Sequence, residues 1–80
     1  MIKYSKEAEK FIISQTKTTA LRLYNAVEKL PLGDIKRLQG TKKPPLYRLR
    51  VGDYRIVFCS ESEQITILRV DNRGDVYKGL

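Results

Sequence analysis

The stretch "LYRLRVGDYRIVF", residues 46–58, decides the fold. Two strand-like runs flank Gly52-Asp53, and Gly followed by Asp is a two-residue hairpin connection. In that register Val51 faces Tyr54, Arg50 faces Arg55, Leu49 faces Ile56, Arg48 faces Val57 and Tyr47 faces Phe58. Opposed residues share a face, and faces alternate along each strand. One face then carries Tyr47, Leu49, Val51, Tyr54, Ile56 and Phe58, all apolar or aromatic. The other carries Arg48, Arg50 and Arg55. Like charges directly opposite one another destabilise a sheet, so three arginines on one face call for an anionic counterpart.

Elements that can cover the apolar face lie upstream. Residues 2–4, "IKY", fit a short first strand. Ser5 is placed to cap a helix running to about Ile13 or Ser14, with Glu7 in its favourable first turn. Ala8, Phe11 and Ile12 give it an apolar stripe. A second helix spans roughly Thr18 to Leu30, with Ala20, Leu23, Tyr24, Val27 and Leu30 on one side and Pro31 as its stop. Downstream of Pro31, "PLGD" is turn chemistry, "IKRLQG" reads as a short connecting piece, and "TKKPP" is a loop that forces extension. A third strand covers Ile65 to Val70 after the polar loop "SESEQ". Its apolar residues fall on both faces, at Ile65 and Ile67 and at Leu68 and Val70, as in a strand covered on both sides. A last short strand near Asp75–Tyr77 returns beside it. The expected architecture is α+β: an N-terminal helical hairpin packed on a small twisted antiparallel sheet of about four strands. The arginine face then lies open, away from the helices.

The chain has 80 residues, which predicts a single domain over 1–80 with a modest core. With 41% hydrophobic and 31% charged residues the balance is globular rather than disordered. No apolar run approaches a membrane span, and "MIKYSKEAEK" lacks the apolar core of a secretory signal. Cys59 is the one cysteine, so no internal disulfide forms; packing in a reducing cytoplasm is its expected role. There is no histidine, which removes the commonest metal ligand and the commonest general acid or base. Neither a metal site nor a cofactor is expected.

The net charge of +7 is concentrated. Residues 36–58 hold Lys36, Arg37, Lys42, Lys43, Arg48, Arg50 and Arg55 against Asp53 alone, a local charge of +6. A solvated face is the plain alternative, but such faces mix both signs. One-sided charge points to a polyanion, either nucleic acid or an acidic protein. Guanidiniums suit phosphate in particular, because they are planar, bidentate and permanently charged. Arg73 and Tyr77, near the chain end, would join them if the last strand returns beside the third. Arg73 could equally be a turn residue and Tyr77 a packed aromatic edge.

Taken together, "DIKRLQG", "YRLRVGDYRIVF" and "ITILRVDNRGDVYK" resemble the RelE/ParE toxin superfamily, and within it the RelE branch. The resemblance covers nearly the whole chain. It implies a RelE-like fold and the toxin of a type II toxin–antitoxin system. RelE-type members enter the ribosomal A site and cleave mRNA there without a metal, the ribose 2′-hydroxyl attacking the adjacent phosphate. The family's roles fall on Arg48 and Arg50, at positions often occupied by lysine, one of them base-like, on Arg55 as the stabiliser of transition-state charge, on Arg73 at the leaving group and on Tyr77 stacked on the nucleotide. Lys42, Lys43 and Arg48 would hold the RNA phosphates. An arginine does not readily give up a proton, and Asp75 and Glu61 are the nearest carboxylates in sequence. Catalysis by charge and positioning is therefore expected. The implied partners are a cognate acidic antitoxin, ribosomal RNA and mRNA, with DNA reached only through the antitoxin, and the implied location is the cytoplasm. Two alternatives stand beside this: a ParE-like toxin that poisons DNA gyrase, and a relative without activity that only binds its antitoxin.

Overall fold

Ser5 and Thr16 set where the two helices begin. In the computed structural model, which describes residues 1–38 and 45–72, α1 spans Lys6–Ile13 and α2 spans Lys17–Glu28. Ser5 Oγ accepts from the Ala8 amide at 3.0 Å, and Thr16 Oγ1 accepts from the Thr19 amide at 3.3 Å. Each cap satisfies an amide that helix geometry leaves without a partner. The helices present the expected stripes to the sheet. Ala8, Ile12, Leu23 and Val27 are fully buried, and Phe11, Ala20, Tyr24 and Leu30 pack beside them. Full burial of each large aliphatic side chain stabilises by about 1.5–3 kcal/mol.

Among the described residues the sheet has five strands in the order β1-β5-β4-β3-β2, with β1 at Ile2–Tyr4, β2 at Asp34–Arg37, β3 at Leu46–Val51, β4 at Tyr54–Glu61 and β5 at Gln64–Asp71. Two features differ from the sequence expectation of about four antiparallel strands. First, residues 34–37, expected to be the end of a turn and the start of a connecting piece, form a strand antiparallel to β3. Ile35 is its one apolar residue, set opposite Leu49 and packed on the core. Four residues with a single inward side chain carry almost no periodic signal. Second, β1 runs parallel to β5, so the sheet is mixed. The helical hairpin and strands β2–β4 lie between these two strands in sequence, and Ile2 and Tyr4 meet Ile65 and Ile67 in register. The strand expected near residues 75–77 lies outside the described residues.

The β3–β4 hairpin pairs as the Gly52-Asp53 turn requires, from Leu46 opposite Cys59 to Val51 opposite Tyr54. Of the two residues of this turn only Gly52 has a positive φ, 59°, the type II′ pattern. Between β4 and β5 the loop is shorter than expected. Glu61 pairs with Gln64 and only Ser62 and Glu63 turn the chain.

A register shift in β5 resolves its two-sided apolar pattern. Val57 opposes Arg69 while Phe58 opposes Ile67, which leaves Leu68 as the extra residue of a bulge. The bulge reverses the alternation, so Ile65, Ile67 and Val70 all face the helices. Leu68 instead joins Leu46, Val57, Leu38 and Cys59 in a small second cluster on the far face, where Cys59 has the packing role expected of it. Ser5 ties the bulge to the helix layer. Its hydroxyl donates to the Leu68 carbonyl at 2.7 Å, and its amide donates to the Ile67 carbonyl at 2.8 Å. One residue thus ends β1, starts α1 and satisfies the disturbed strand.

Two outcomes follow from these contacts. Ser5→Ala removes the cap and leaves the Leu68 carbonyl short of a donor, and should cost about 1–2 kcal/mol; a urea midpoint equal to the parent's would show the tie is dispensable. Tyr4 meets Tyr24 edge-on, with ring centroids 5.5 Å apart. Burial, helped by Tyr24 and Glu28, pushes its hydroxyl up from 10.0 to about 12. The folded state favours the neutral phenol, so this contribution is complete below pH 10 and is lost as pH rises towards 12. Melts of the parent and Tyr4→Phe should therefore track each other up to about pH 10, above which the parent declines faster.

Candidate functional site

Strand alternation puts Arg48, Arg50 and Arg55 on the face opposite the helices, which pack against Tyr47, Leu49, Val51, Tyr54, Ile56 and Phe58. Pairing with the flanking strands extends the arginines into rows across the sheet. Asp34 opposes Arg50, Arg50 opposes Arg55, and Arg55 opposes Asp71. The row therefore runs acid, base, base, acid over four strands. The next row is Lys36, Arg48, Val57 and Arg69. The like-charge pair at the centre is flanked on both sides by carboxylates, which reduces the repulsion the sheet must bear.

The three arginines are not equivalent. Arg48 reaches diagonally to Asp34, with Nη2 at 3.6 Å from Oδ1, and only 14% of its side chain is exposed. The expected open face is therefore partly closed at Arg48 and over the Leu46–Val57 cluster. Arg50 is exposed and Arg55 half-buried, and among the described residues neither has an ion-pair partner. Together with Gly52, Asp53, Tyr54 and Asn72 they line a polar hollow of about 310 Å³ at the turn end of the hairpin. Tyr54 is committed elsewhere: its hydroxyl donates to Gln15 Oε1 at 3.4 Å, and its ring packs edge-on against Phe11.

The structure brings Arg50 and Arg55 together as a pair and sets Arg48 apart from them. Lys42, Lys43, Arg73, Tyr77 and Asp75 lie outside the described residues. Glu61 stands at the opposite end of β4 from Arg55, roughly 20 Å along the strand, and so is remote from the hollow. Asp53 is the acid that lines it. Three neighbours escaped the sequence reading. Asp34 was missed because β2 was not expected, and Asp71 because the bulge that sets its register has no sequence signature. Asp53 appeared only as a turn residue. Two guanidiniums beside an open hollow can hold and neutralise phosphate oxygens, but they do not accept a proton.

Residues 2–77 match the family model of the ParE toxin of the type II toxin–antitoxin system parDE. No curated protein matches the chain. Among solved structures, the archaeal RelE–RelB complex from Pyrococcus horikoshii contains a chain 30% identical to this one, with 91% of this chain and 93% of that one aligned at a TM-score of 0.72. The RelB–RelE antitoxin–toxin complex from Methanococcus jannaschii gives 26% identity over 94% of each chain, again at 0.72. Protein HP0894 from Helicobacter pylori shares the fold, at 16% identity and a TM-score of 0.56 over 86% of this chain and 89% of that one.

The charge row makes a stability prediction. Arg50→Thr removes one member of the opposed pair and should raise stability by about half a kcal/mol in low salt, less in high salt. Urea unfolding at two ionic strengths reads this directly, and a loss of stability would mean that Asp34 depends on Arg50 more than Arg55 is repelled by it.

Proposed function

The chain belongs to the RelE/ParE superfamily of type II toxin–antitoxin toxins, and from that premise we propose that it is an endoribonuclease that cuts mRNA in the ribosomal A site and so stops translation. The observation that supports this best is Arg50 opposite Arg55 at a polar hollow, both free of ion pairs among the described residues. The ribose 2′-oxygen attacks the adjacent phosphorus, its bond forms as the bond to the 5′-oxygen breaks, and negative charge builds on the phosphate oxygens. Arg55 and Arg50 lie against that charge and stabilise the transition state more than the ground state. The products are a 2′,3′-cyclic phosphate and a 5′-hydroxyl. The 2′-oxygen loses its proton and the 5′-oxygen gains one, and neither proton passes through an arginine. Arg73 acts at the leaving oxygen, Tyr77 stacks on the base, and Lys42 and Lys43 hold the backbone. The work is electrostatic and positional, on a substrate that brings its own nucleophile.

A segment of +6 also fits an acidic, partly disordered antitoxin that orders as it covers the toxin. Both archaeal relatives stand in complexes with RelB. The working location is the cytoplasm, where ribosomes and antitoxin are found, and DNA is reached through the antitoxin. A second reading has its own support: the matching family model is that of the ParE toxin, which favours poisoning of DNA gyrase.

Purified protein added to translating ribosomes should cut mRNA within the A-site codon, and Arg55→Ala should slow the cut about 10²-fold. Gyrase-dependent DNA breaks with intact mRNA would replace this function with the second one. Neither activity, with tight binding of a co-expressed acidic partner, would leave a toxin relative that only binds.

A further inference from the structure

Beyond the arginine pair, a third guanidinium meets the same turn from the helix layer. Arg22 is exposed on α2. A Cβ built on Gly52 would stand 2.5 Å from Arg22 Nη2, 3.2 Å from Cζ and 3.4 Å from Nη1. The guanidinium therefore rests on the backbone of the turn, in space that exists only because residue 52 has no side chain. Gly52 also lines the hollow that Arg50 and Arg55 share. Arg50 in turn lines the cavity of about 610 Å³ on the other side, together with Arg22. The hairpin tip is thus ringed by Arg55 from β4, Arg50 from β3 and Arg22 from α2. Like the other two, Arg22 has no ion-pair partner among the described residues.

We propose that Arg22 takes the place in phosphate binding that Arg48 holds in the sequence, so that an RNA strand bends over the hairpin tip instead of running along the arginine face. This rests on the RNA reading above. Charge supports the exchange. Arg48 is paired with Asp34 and largely covered. Asp53 lines the hollow and offsets one of its two arginines, leaving enough charge for one phosphodiester; Arg22 supplies what a second, neighbouring phosphate needs. Contact with the Gly52 backbone also restricts the long side chain before RNA arrives, which lowers the entropy lost on binding.

The test is binding of a short fluorescein-labelled 2′-O-methyl RNA, which lacks the nucleophile, followed by anisotropy across a potassium chloride series. Arg22→Gln should weaken binding about 3- to 10-fold and reduce the slope of log K against log salt by about 0.7. Arg48→Gln should change both less, and Lys17→Gln, an exposed cation in the first turn of the same helix, should change neither. A parent that binds no RNA overturns the RNA reading and this inference with it. A parent that binds, weakened by Arg55→Ala but unaffected by Arg22→Gln in affinity and slope, overturns this inference alone. Lost affinity at an unchanged slope overturns it too, since that pattern marks altered structure rather than a lost phosphate contact.

Discussion

The pairing of Arg50 with Arg55 across the Gly52-Asp53 turn is the constraint on which the remaining structure depends. A two-residue turn leaves the two strands one register. In a sheet with one buried face, a slip of a single residue would send Leu49, Ile56 and Phe58 into water and bring the arginines under the helices. Several buried aliphatic and aromatic side chains, each stabilising by about 1.5–3 kcal/mol, stand against a repulsion of well under that size. The hydrophobic term wins, and the like-charged pair is accepted as its consequence.

Both faces of the molecule follow from that decision. The apolar side draws in α1 and α2 through Ala8, Ile12, Leu23 and Val27. The polar side keeps the guanidiniums together and adds Asp34 and Asp71 at the flanks. Ser5 joins the layers at the point where regular alternation fails, because the bulge at Leu68 needs a donor and the first turn of α1 needs an acceptor. A single hydroxyl answers both requirements.

The arrangement also explains the character of the site. Arginine remains charged at any pH the cell reaches and offers only donors, so a cluster of them holds and stabilises an anion without moving a proton. A fold that uses arginine here is committed to a substrate carrying its own nucleophile, or to a partner that only needs to be held. The flanking aspartates moderate the field while leaving Arg50 and Arg55 unpaired among the described residues.

The hairpin register, the two helix stripes and the arginine face were legible in the residues themselves. Each rests on local spacing: alternation in a strand, a turn of helix, a two-residue link with glycine at its positive φ. The α+β layering followed, since the exposed apolar face and the two apolar stripes had only each other to cover. What tertiary structure decided is long-range. The edge strand at 34–37 exists because β3 offers an unpaired edge, not because "DIKR" prefers to be extended. The parallel β1 is placed by its pairing with β5, a strand that comes sixty residues later in the chain. The bulge at Leu68 sets which side of β5 is buried and which residue faces Arg55. The contact of Arg22 with Gly52 joins residues thirty positions apart. Sequence by itself determined the faces of each element, because those depend on neighbours along the chain; only the folded sheet determined which charges meet, because that depends on register between segments that no local pattern encodes.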